Sequence, residues 1–104
     1  MSRFSNKLTD VEVERLSLLL EELGEAQQAI GKIMRHGYES GWQGSNNRDD
    51  LTDELGQVLF AIDLLAANGD VEQSELCEYR ECKSESVKRF LHYKHKMPKL
   101  PGKS

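Results

Sequence analysis

The 104-residue sequence holds only two prolines, Pro98 and Pro101, both within its last seven positions. Ahead of them, nothing of that kind interrupts a long helix. No apolar run approaches the roughly 20 residues needed to span a membrane. The opening Met1-Ser2-Arg3-Phe4-Ser5 lacks the apolar core of a secretory signal. These absences argue against membrane-spanning, secreted and collagen-like classes, and a cytoplasmic protein is expected. Cysteine is scarce as well: Cys77 and Cys82 are five apart in a segment that reads as helix. They fall on different sides of it, with α-carbons beyond the limit of about 7 Å for a disulfide. With no metal-type spacing, they read as free thiols of a reducing compartment.

Apolar residues make up 38% and charged residues 31% of the chain, enough for one modest core. A chain this short buries a small share of its surface, so association between copies is expected. The net charge of −4 conceals two halves: residues 1–82 hold 17 acids and 7 bases, residues 83–104 hold 7 bases and Glu85 alone. The basic end suits nucleic acid, the acidic body itself, or an anionic substrate held there. Basic residues are not interleaved with aromatics, and the body is acidic, so nucleic acid is not the expected partner. The division expected is a helical domain over residues 1–94 and a basic, flexible tail over 95–104.

Three helical segments account for most of the chain. Thr9-x-x-Glu12 is a capping box. From it, Leu16, Leu19, Leu23, Ala26, Ile30 and Ile33 recur at three- and four-residue steps, and His36-Gly37 supplies the stop. Residues 37–48 carry three glycines, two serines and two asparagines without periodicity and read as a loop. A second helix starts after Asn46 or Asn47, with the stripe Leu51, Leu55, Val58, Leu59, Ile62 and Leu65, and closes at Asn68-Gly69. Asp70 followed by Gln73 reads as a third start, with the thinner stripe Leu76, Tyr79, Val87, Phe90 and Leu91 fraying after Tyr93. No strand pattern stands out. The fold class expected is all-α, a small antiparallel helical bundle of about three main helices, completed by oligomerisation.

The acids beside these stripes carry the chemistry. At about 100° per residue, the first stripe centres near Leu23 and Ile30, with Glu22 and Glu25 along one border. Glu54 lies on the corresponding border of the second helix, in line with Asp50 and Gln57. Antiparallel packing lets the borders face each other. Carboxylates drawn together repel unless a counter-charge joins them. Mg²⁺ suits that role, being held by carboxylates together with substrate phosphates. Gly24, in mid-helix, costs about 1 kcal/mol against alanine and suggests close approach of another helix.

Glu21-Glu22-x-x-Glu25, then 28 residues, then Glu54-x-x-Gln57 resembles the signature of the MazG-like all-α nucleoside triphosphate pyrophosphohydrolases. The flanks resemble its short phage-type members: Ala26 to Lys32, Arg35-His36-Gly37-Tyr38, Asn47-Arg48 and Asp53-Glu54-Leu55-Gly56. The likeness covers roughly residues 14–68. It implies a Mg²⁺-dependent enzyme, with Mn²⁺ as a substitute ion, that splits a (deoxy)nucleoside triphosphate into monophosphate and pyrophosphate for nucleotide-pool control or house-cleaning. By position, Glu22, Glu25 and Glu54 would be metal ligands and Glu21 a second acid that orients the attacking water. Gln57 stands where the family has aspartate. It offers a neutral oxygen but no charge, and Asp50, one turn before Glu54, is the compensating candidate. The alternative implied is a weakened or inactive nucleotide-binding module.

Lys32 and Arg35, beyond the carboxylates on the first helix, are positioned for phosphates or simply favour the helix end. Asn47 and Arg48 suit phosphate or sugar, since helix N-termini attract anions, and capping accounts for Asn47 equally. Trp42 can stack on a base or fold onto the core, whereas Tyr38 is expected in the core. The partners expected are a nucleoside triphosphate and a second copy, as a homodimer or a dimer of dimers.

Overall fold

The structure, a computed structural model, describes residues 5–99, with the side chain of Trp42 excepted. Its helices in chain order are α1 (Asp10–His36), α2 (Asn47–Ala67) and α3 (Gln73–Ser86), the last followed by a 3₁₀ turn over Val87–Arg89. The class is all-α. The start of α1 forms the expected box: the Thr9 hydroxyl accepts from the Glu12 N–H at 3.1 Å, and the Glu12 carboxylate accepts from the Thr9 N–H at 2.8 Å. At the other end Gly37 takes φ 89°, open to a residue without Cβ, and donates its N–H to the Ile33 carbonyl at 2.7 Å.

The connection from α1 to α2 is more ordered than its composition suggests. Strands β1 (Gly41–Trp42) and β2 (Ser45–Asn46) pair antiparallel across a turn at Gln43 and Gly44, whose φ angles of 55° and 83° fit a tight hairpin. A Cβ on Gly41 would collide with the backbone of Ser45 and Asn46. Strands of two residues are too short to show an alternating pattern, so the sequence reads as plain loop. β2 runs directly into α2, where the Asn46 side chain caps the helix by accepting from the Asp49 N–H at 2.9 Å.

α1 and α2 pack antiparallel and are tied at both ends. Near the start of α1, the Arg15 guanidinium donates to both oxygens of Asp70, at 2.6 and 2.9 Å, just past the end of α2. At the opposite end the buried Asn47 amide donates to the Gly37 carbonyl at 3.0 Å. Asp70 is therefore a tie to α1 and not a cap. α3 starts after Glu72 with no side-chain cap, and it stops at Ser86, short of Tyr93. None of its residues is buried, so its helix has little beyond intrinsic propensity to extend it.

Between α1 and α2 the buried positions are Glu22, Ala26 and Ala29 on one side, and Asn47, Val58, Ala61 and Leu65 on the other. The contact is thus turned about a quarter of a revolution from the stripe that hydropathy picks out. Leu16, Leu23 and Ile30 remain exposed, while the row through Glu22 faces α2. Small side chains fill the seam. Among the described residues no other helix approaches Gly24, whose missing side chain would point into open space. With α3 standing off the helical pair, the radius of gyration is 17.4 Å, against about 13 Å for a compact chain of this length. No described helix is long and apolar enough to cross a membrane. Both cysteines are free.

Candidate functional site

One helical turn separates Glu22 from Glu25 on α1, and both look across the seam at Glu54 on α2. Each offers a carboxylate oxygen, and these oxygens lie within 4.8 Å of one another. Among the described residues no other trio of His, Cys, Asp or Glu side chains does so. Glu22 is buried; Glu25 and Glu54 are half-buried. One oxygen of Glu22 and one of Glu54 are enclosed yet have no hydrogen-bond partner. A buried acceptor without a donor is unfavourable, and a buried anion more so.

Protonation answers that conflict when nothing else does. Burial pushes the Glu22 carboxyl above the usual carboxylate range, and the charges of Glu25, Glu21 and Asp53 push the same way. Glu54 is also raised, first by a hydrogen bond with Glu25, then by burial, then by the charges of Glu25, Asp53 and Glu22. No lysine or arginine offsets these charges among the causes acting on either group. Asp53 is the acid that sequence reasoning passed over. It is exposed beside Glu54 on α2, where its charge acts on Glu54 directly, and its charge on Glu22 emerges only once α1 and α2 are packed.

A hard cation would remove the same conflict. Ligands about 2.1 Å from Mg²⁺ sit about 3.0 Å apart when adjacent and about 4.2 Å apart when opposite. Oxygens within 4.8 Å of one another need move by no more than about 1 Å each to meet that spacing. The donor set, all oxygen with two unsatisfied atoms, fits Mg²⁺ or Mn²⁺. Beside the trio runs an open groove of about 450 Å³, lined by Leu18, Glu22, Asp53, Gln57 and Phe60 among others. Glu22, alone of the trio, therefore borders a space that a ligand can enter, with Asp53 beside it.

Other residues singled out in the sequence fall elsewhere. The Gln57 amide donates to Asp53 at 3.0 Å, so Gln57 lines the groove without joining the trio. Asp50 is exposed and outside the trio, despite sharing a helix row with Glu54. Glu21 is exposed and acts on Glu22 through its charge. Lys32 and Arg35 line a separate groove with Gly24, Gln27, Gln28 and Gly31. Lys32 is seven residues, or about 10 Å of helix, beyond Glu25. Asn47 is committed to Gly37, and the Arg48 guanidinium is held by Glu39 at 2.7 Å while stacking 4.3 Å above the Tyr38 ring. Tyr38 is accordingly half-exposed under Arg48 and not in the core. These contacts brace the hairpin that delivers α2. The Trp42 side chain lies outside the described part of the structure. Of the expected tail, residues 100–104 lie outside the described residues, while Met97, Pro98 and Lys99 line a groove with Arg80, Lys83, Ser84 and Val87 of α3 and its 3₁₀ turn.

No protein-family profile matches the chain, and no curated protein or solved structure is significantly similar to it.

Proposed function

We propose that the protein is a Mg²⁺-dependent hydrolase of nucleoside triphosphates, releasing a nucleoside monophosphate and pyrophosphate in the manner of the MazG-like enzymes its motifs resemble. The observation that carries this reading is the Glu22, Glu25 and Glu54 trio, with two buried oxygens lacking donors and with Glu22 lining an open groove. In this reading the three carboxylates hold the cation. Bound there, the cation would offset charge on phosphate oxygens and favour a hydroxide nucleophile. Glu21 and Asp53 keep the surrounding field negative, and Asp53 fixes Gln57 at the groove wall. Lys32 lines a separate groove about 10 Å farther along α1, so in this reading it would meet only the far end of an extended phosphate chain.

A second reading has its own support. Gln57 is engaged with Asp53, leaving three charged ligands where the family pattern has four. The protein would then bind nucleotide without efficient turnover. Incubating the purified chain with Mg²⁺ and each common (deoxy)nucleoside triphosphate separates the two. Hydrolysis predicts pyrophosphate from the native protein and none from Glu22→Gln. Nucleotide retention without pyrophosphate supports the binding module. Pyrophosphate release that survives Glu22→Gln, or neither binding nor release, contradicts both.

A further inference from the structure

We infer that the groove between α3 and the chain that returns along it binds an amphiphilic organic phosphate, an anionic head joined to an aliphatic body. α3 and its 3₁₀ turn line this groove with Arg80, Lys83, Ser84 and Val87. The chain beyond the turn contributes Met97, Pro98 and Lys99. The volume is about 420 Å³, within the range of about 300–1,000 Å³ usual for small-molecule sites. The groove shares no residue with the carboxylate trio or with the groove beside it.

Charge selects the head. Arg80, Lys83 and Lys99 bring three cations to the groove, and no acid lines it. The ion pairs among the described residues use Arg15, Arg48 and Lys88 instead. Arg80 donates to the Cys77 sulfur, at 3.5 Å, and not to a carboxylate. Neither Arg80 nor Lys83 has an acid three or four positions away, so neither gains a pair along the helix. They stand three apart themselves, where like charges repel. The acids of α3 are turned away: at about 100° per residue, Glu75, Glu78, Glu81 and Glu85 centre about 155° from the row through Arg80, Lys83 and Val87. An anion in the groove relieves this crowding by accepting charge-assisted hydrogen bonds from the guanidinium and ammonium groups. The half-buried Ser84 adds a hydroxyl.

A phosphate head is far smaller than the groove, and the rest of the lining selects what fills it. Val87, Met97 and Pro98 present carbon, as do the stems of the long cations. No aromatic ring lines the groove, so a flat base has nothing to stack on. A flexible aliphatic chain buries apolar area there, against a Met97 side chain that adapts to irregular shapes.

Calorimetric titration of the full chain in buffer free of divalent cations tests this, since the trio then has no metal through which to hold phosphate. Octyl phosphate below its micelle concentration should bind saturably, about tenfold or more tighter than inorganic phosphate or octyl glucoside. Lys83→Glu and Lys99→Glu should each weaken it about tenfold, and Met97→Asp should do so too. Lys32→Glu, the same charge change in the separate groove of α1, should leave it unchanged. Lys99 lies outside the helices, so its variant decides even if Lys83→Glu loses helical circular dichroism. Co-sedimentation with phosphatidylglycerol vesicles, and not with phosphatidylcholine vesicles, supports a lipid as the source. Octyl phosphate binding without co-sedimentation supports a soluble phosphate ester. The inference is overturned by the absence of saturable binding, or by equal binding of inorganic phosphate or octyl glucoside. Met97→Asp without effect, or a loss in Lys32→Glu equal to that in Lys99→Glu, overturns it as well.

Discussion

Replacing Glu54 by glutamine should move stability in opposite directions with and without a divalent cation. Without one, Glu54→Gln removes a group that is half-buried, hydrogen-bonded to Glu25 and crowded by Glu22 and Asp53, so the unfolding midpoint should rise. With one, the native protein gains what the variant cannot. A ligand at ten times its dissociation constant stabilises the folded state by about 1.4 kcal/mol. For a chain of about 100 residues, that is a rise in Tm of about 6–11 °C. Glu54 supplies one of three charged ligands within 4.8 Å. Its loss should weaken binding at least as much as the 10–100-fold typical for loss of an outer partner. At 30-fold, the same cation concentration contributes only about 0.2 kcal/mol, or about 1 °C. The assay is thermal unfolding by circular dichroism at one fixed protein concentration, with and without Mg²⁺ or Mn²⁺. Equal cation-induced shifts in both proteins, or a variant less stable than the native chain without cation, would refute the reasoning.

The raised Glu22 and Glu54 carboxyls also set the sign of a pH dependence. Between the ordinary glutamate value near 4.5 and their raised values, the folded state holds more protons than the unfolded one. Cation-free stability at these sites should therefore fall as pH rises through that window, and saturating cation should flatten the slope; denaturant titrations at several pH values check it. Gly24→Ala should stabilise the protein by about 0.5–1 kcal/mol, because a Cβ there meets nothing within 4 Å, and a lower Tm would show that something packs on Gly24. Arg15→Ala should loosen the corner where Asp70 meets α1, which hydrogen exchange would report as faster exchange near residues 65–72. In the native chain the Arg15 hydrogen bond also holds Asp70 below the usual carboxylate range. That tie should weaken as acid protonates Asp70 and persist at neutral pH.

Local signals were readable where they reside in adjacent residues. Thr9 with Glu12, His36-Gly37 and Asn46 mark helix ends through contacts spanning three or four positions; the structure places the first two as read and, of Asn46 and Asn47, makes Asn46 the cap. Glu22, Glu25 and Glu54 were legible through periodicity and motif together, although they sit within the seam and not at its border. What failed was the assumption that the most apolar row faces the neighbouring helix of the same chain. Leu16, Leu23 and Ile30 outrank Ala26 and Ala29 in hydrophobicity, yet the small residues lie between α1 and α2. Asp70 was misread because its partner, Arg15, is 55 positions away. Arg48 and Asn47 resembled ligand contacts until the short hairpin gave each a partner, Glu39 and Gly37.

The central claim is that Glu22, Glu25 and Glu54 hold one kind of ligand, a hard divalent cation, and a Mn²⁺ titration of metal-free protein followed by electron paramagnetic resonance tests it most directly. Saturable loss of the free-ion signal should occur with the native chain and with Glu14→Gln and Asp50→Asn. It should weaken sharply in Glu22→Gln, Glu25→Gln and Glu54→Gln. Binding that these three changes leave untouched, or that the two control changes weaken as much, would contradict it.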